Sequence, residues 1–149
     1  MKNRGVTLLE LLLSFFIIAV SATMLAYAFS AFRESNDLGT AHAIIIGLLK
    51  DARSRAIASD GNSVYGVHFE TGQFVFFEGT SYSVGDPDNV VHELDPQVEI
   101  TGITLTGGGS EAFFVNHKGT TAQDGTIVFT SETGTRTITV NAAGLIDVD

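Results

Sequence analysis

The sequence predicts an α+β chain: a long N-terminal helix, transmembrane in its first part and amphipathic in its second, followed by a small antiparallel β domain. Three observations carry this. Residues 11–32 hold no charged side chain, and at about 1.5 Å rise per residue such a run crosses a bilayer core roughly 30 Å thick. From Leu38 to Ala56, apolar residues recur in steps of three and four, which is one face of a helix. Beyond Asn62 the period falls to two, the alternation of half-buried strands.

Lys2 and Arg4 stand ahead of the apolar run. Their charge keeps this end in the cytoplasm and sends the C-terminal bulk outward. A secretory signal cut after Ala26-Tyr27-Ala28 is one alternative. Its apolar core would exceed the usual ~7–15 residues, and Glu10 would fall in the wrong region. A plain single-pass anchor fits the run but leaves Glu10 unexplained, because an ionised group beside lipid is costly and points to function.

The amphipathic part places Leu38, Ala41, Ile45, Leu48, Ala52 and Ala56 on one face, with Asp51 and Arg55 paired in acid-first order on the solvent side. Ser59-Asp60-Gly61-Asn62 ends the pattern, with Gly61 suited to the C-terminal cap. No Pro precedes Pro87, so one helix runs from about Thr7 to Ser59, with Gly39 and Gly47 as soft points. Strands then follow. Tyr65, Val67 and Phe69 share one face, and Phe74 and Phe76 share another after the turn at Glu70-Thr71-Gly72. Further strands are predicted at 90–94, 98–105, 111–116, 126–130, 136–140 and 145–148, with a surface loop at 79–89.

The length of 149 residues suits one modest domain plus an anchor. With no Cys, a disulfide framework, a thiolate metal site and a lipoprotein-type attachment are all excluded. The formal net charge of −9 repels nucleic-acid phosphates, so no nucleic-acid partner is expected. His42, His68, His92 and His117 lack ligand-like spacing. Asp86, Asp88, Asn89, Glu93 and Asp95 cluster in one stretch, but without the order or the Gly of a calcium loop, and read as an acidic, solvated loop. Gly107-Gly108-Gly109 has no following Lys-Ser/Thr and reads as a turn. No catalytic residue, metal site or cofactor is predicted.

The stretch Gly5-Val6-Thr7-Leu8-Leu9-Glu10 resembles the start of the type IV pilin superfamily. Its members carry a short basic leader ending in Gly, then a hydrophobic helix with Glu at the fifth mature position. In that register Val6 is the first mature residue, where Phe is commonest, and Glu10 is the fifth. The stretch at 48–57, with Ala52-Arg53-Ser54 and Ala56-Ile57, resembles the GspH/FimT-like branch of minor pseudopilins and minor pilins. So do Asp124-Gly125-Thr126-Ile127-Val128-Phe129, the strand from Gly134 to Val140, and Gly144-Leu145-Ile146. Residues 79–109 match nothing in that branch.

The resemblance implies a pilin-like organisation: leader 1–5, transmembrane helix 6–32, amphipathic helix 33–59 packing on the sheet, and β domain 60–149. It implies cleavage between Gly5 and Val6 by a prepilin peptidase, methylation of Val6, and an assembly role for Glu10. The chain would be a structural subunit of a type IV pilus or a type II secretion pseudopilus, and not an enzyme. It would sit single-pass in the bacterial cytoplasmic membrane with its β domain outside. Its partners would be the peptidase, other pilin or pseudopilin subunits, and the inner-membrane assembly platform. Two alternatives stay open: a membrane-anchored β-domain adaptor that never polymerises, and a DNA-uptake pilin. The latter type uses a basic C-terminal segment, whereas this sequence closes on Leu145-Ile146-Asp147-Val148-Asp149.

Overall fold

The computed structural model describes residues 6–148; the expected leader, residues 1–5, lies outside the described residues. Helix α1 (Leu8–Ala58) is followed by a 3-10 turn at Asp60–Asn62 and eight strands. These are β1 (Tyr65–Glu70), β2 (Gln73–Glu78), β3 (Val90–Glu93), β4 (Glu99–Leu105), β5 (Glu111–Phe114), β6 (Gly125–Ser131), β7 (Gly134–Val140) and β8 (Ile146–Val148). The chain divides into two compact units, Met1–Arg33 and Glu34–Asp149.

In the first unit, α1 is apolar all round. Its best 18-residue window has a mean hydropathy of 2.3, with none of that window buried. Its few polar side chains are satisfied internally. The hydroxyls of Ser14, Ser21 and Thr23 donate to the carbonyls of Glu10, Ile17 and Val20 at 2.7, 2.8 and 2.8 Å. That suits a helix in lipid, where no water is available to do it.

In the second unit, α1 buries Leu38, Ala41, Ile45, Leu49, Ala52 and Ala56. Leu49 is fully buried and Leu48 only partly, which corrects the expected stripe by one position. Steps of three and four permit either leucine; only the shape of the sheets facing the helix chooses between them. Glu34 is buried too, and its Oε1 accepts the Thr133 N–H at 3.1 Å, tying the helix to the β6–β7 turn.

Two four-stranded antiparallel sheets close over this helix face, ordered β3-β2-β1-β5 and β4-β6-β7-β8. Register sets their inner faces. Val67 lies opposite Phe76 and Ala112, and Phe69 opposite Phe74, so these side chains point the same way into the core. In β4 a bulge between Ile100 and Gly102 brings Ile100 opposite Phe129 and Ile103 opposite Ile127. Without the extra residue, positions three apart would face opposite sides. The outer face of the first sheet buries Val75 and Phe77, and there Tyr82 from the 79–89 loop stacks on His68 at 4.1 Å and meets Phe77 edge-on at 6.1 Å.

The end of α1 also differs from expectation. Ser59, not Gly61, takes the left-handed conformation directly after the helix (φ 56). The cap is supplied by a distant loop: His117 N–H donates to the Ala56 carbonyl at 2.9 Å, and the Ser59 hydroxyl bonds the His117 ring at 2.5 Å. These contacts hold Ser59 in a backbone region that favours Gly. Gly61 is left-handed as well (φ 59), but inside the 3-10 turn.

Because the second unit holds its own core, a fragment starting at Arg33 is expected to be soluble and folded. The stripe from Leu38 to Ala56 still covers both sheets, and helix stability here comes from that packing. Circular dichroism of the purified fragment should show β-type structure with a cooperative melt. An aggregated product without it would contradict this division.

Candidate processing and assembly site

The site is built on the first turn of α1. Thr7 stands immediately before the helix and caps it: its Oγ1 accepts the Glu10 N–H at 3.3 Å, and its carbonyl accepts the N–H groups of Glu10 and Leu11 at 3.1 and 3.2 Å. Glu10 is therefore the third helical residue, in the Thr-x-x-Glu spacing of a capping box. A carboxylate in the first turn also faces the positive end of the helix macrodipole. This local role was legible in the spacing but is missed by a reading that sees only an acid in an apolar run.

Val6 precedes the helix and is exposed, and so is Glu10. Gly5 lies outside the described residues. Leu8, Leu9, Leu11 and Leu12, around the carboxylate, are exposed as well, leaving an unpartnered apolar surface with one acid in its first turn. Such a surface needs lipid or other apolar helices to cover it.

The remaining polar clusters do not converge. His42 is half-buried under β7, and burial, followed by the Arg136 charge, holds its imidazole below its ordinary value against the raising effect of a backbone hydrogen bond at Thr137. His68 lies between Glu70 (3.5 Å) and Glu111 (3.8 Å), one carboxylate at each ring nitrogen. His92 stacks on Phe74 at 5.3 Å. Asp86 and Asp95 use their carboxylates in local turns, accepting the N–H groups of Asp88 and Gln97 at 3.0 Å each. Among the described residues, no group of three His, Cys, Asp or Glu side chains is arranged to hold a metal ion.

The profile of the family described as type II transport protein GspH matches residues 45–144, and the prokaryotic N-terminal methylation motif matches residues 1–26. The chain belongs to the GspH family. It is a pilin-like subunit of minor-pseudopilin type, and these families comprise structural subunits rather than enzymes. The GspH match runs from Ile45 on the buried face of α1 to Gly144 before β8, so it covers the shared core of helix and sheets. The methylation motif takes in Gly5, Val6 and Glu10 together with the apolar turns that follow. Neither a curated protein nor a solved structure matches at a significant level.

Proposed function

We propose that this GspH-family subunit is cut between Gly5 and Val6 by a prepilin peptidase and is then drawn from the cytoplasmic membrane into a helical filament. The observation that carries this reading is the register of the N-terminal methylation motif with the exposed apolar helix, which puts Glu10 fifth after the cut. Residues 1–5 act as leader, 6–32 as membrane segment, 33–59 as the helix that packs on the sheets, and 60–149 as the β domain outside the cytoplasm. The family description favours a type II secretion pseudopilus over a type IV pilus. Val6 becomes the methylated N-terminus, and Glu10 the assembly carboxylate. Partners are the peptidase, neighbouring pseudopilin or pilin subunits, and the inner-membrane platform.

A DNA-uptake role is disfavoured by charge: after Arg55 the only basic residues are Lys118 and Arg136, so few phosphates can be neutralised. A non-polymerising adaptor would keep its leader. The test is to shear filaments from the host and blot both fractions for the chain. It should appear in the sheared fraction and vanish from it when the assembly ATPase is deleted. A chain confined to membranes in both strains would contradict the filament role.

A further inference from the structure

The second unit carries two strand edges of opposite character. β8 is the outer strand of its sheet, hydrogen-bonded only to β7. Beside it α1 and residues 144–147 enclose a groove of about 370 Å³, lined by Lys50, Arg53, Ser54, Ile57, Leu145 and Asp147 among others. Ile57 and Leu145 are 45% and 52% exposed there. Arg53 Nε donates to the Gly119 carbonyl at 3.1 Å, and among the described residues neither Lys50 nor Arg53 takes part in an ion pair.

β3 is the outer strand of the other sheet, hydrogen-bonded only to β2. Its Val90 and Val91 are 49% and 52% exposed. Asp86, Asp88, Glu93 and Asp95 flank them, and none is in an ion pair among the described residues. An edge strand with bare N–H and C=O groups and exposed valines is a template for pairing with another chain. A purely solvated strand would not expose two adjacent valines.

We infer that β3 of one copy docks against the groove beside β8 of a second copy, with the acids around β3 meeting Lys50 and Arg53. The occupant is a second copy of this chain because each patch supplies what the other lacks: unpaired acids beside valines, and unpaired cations beside Ile57 and Leu145. Two different patches make a head-to-tail contact, which propagates rather than closing a dimer. The contact rests on the filament reading and supplies a lateral joint between β domains in addition to the packing of the apolar helices. Charge complementarity of this kind sets register and partner choice more than raw affinity.

The absence of Cys makes the test clean. Full-length chain in mild detergent is prepared as two populations, Ser54→Cys and Val91→Cys, mixed and treated with a short bismaleimide. The mixed pair should give a cross-linked dimer in roughly fivefold excess over either population alone, falling as salt is raised. Lys50→Glu in the Ser54→Cys population should abolish that excess, and Glu93→Lys in the Val91→Cys population should restore it. Equal yields in all mixtures, or a yield indifferent to salt and to both charge reversals, would overturn the docking. Sheared filaments separate the two readings. Chain present in filaments without the Ser54–Val91 product overturns the docking alone, whereas chain absent from filaments with the product intact overturns the filament role.

Discussion

Glu10→Gln is expected to leave leader cleavage and membrane insertion intact while removing the chain from filaments. Gln keeps the capping-box spacing with Thr7, so the helix start seen here survives the change. What is lost is the charge. An ionised group at membrane depth costs about 2.5–3.5 kcal/mol on insertion scales, so insertion should be normal or improved. Cleavage after Gly5 creates an amine on Val6 that is largely protonated at neutral pH. The amine of a neighbouring, axially shifted subunit can pair with Glu10, and any other stagger leaves both charges unpaired in an apolar core. Removing one partner of a buried pair costs about 3–5 kcal/mol, enough to lower incorporation roughly a hundredfold. Fractionation and blotting of sheared filaments reads this. If the Gln variant enters filaments at the wild-type level, Glu10 is only a helix cap.

Leu49→Ala in the soluble fragment should cost about 2–5 kcal/mol, because its fully buried side chain leaves a cavity among Ile45, Ala52 and the facing sheets. Leu48→Ala, one position earlier and only partly buried, should cost about 1 kcal/mol. Denaturant melts of the two variants at equal protein concentration give the comparison. Equal losses, or a larger loss for Leu48, would mean that the helix presents a different face to the sheets. Helix rotation of that size would also break the hydrogen bond between Glu34 and Thr133.

The same pair of leucines marks how far the sequence could be read. The long apolar run, the amphipathic stripe and most strands follow from local periodicity, since each pattern is a property of neighbouring residues. The choice between Leu48 and Leu49 is not local; it depends on side chains from two sheets that meet only after folding. The cap at Ser59 has the same cause, because its partner His117 lies 58 residues away in sequence. So does the division of the strands into two sheets, where β5 returns to β1 across two intervening strands. Burial of Glu34 was equally hidden: in the sequence it is one acid in a polar stretch, and only the β6–β7 turn gives it a donor. At the N-terminus, the spacing of Gly5, Val6 and Glu10 was legible as a motif. The capping role of Thr7 was legible too, because both are encoded within six residues.

The central claim is that this chain works as a cleaved filament subunit, and the intact mass of chain recovered from sheared filaments tests it most directly. The account predicts a species beginning at Val6, with or without one added methyl group. A species retaining Met1 to Gly5, or one beginning near Phe29 after a conventional signal cut, would contradict it.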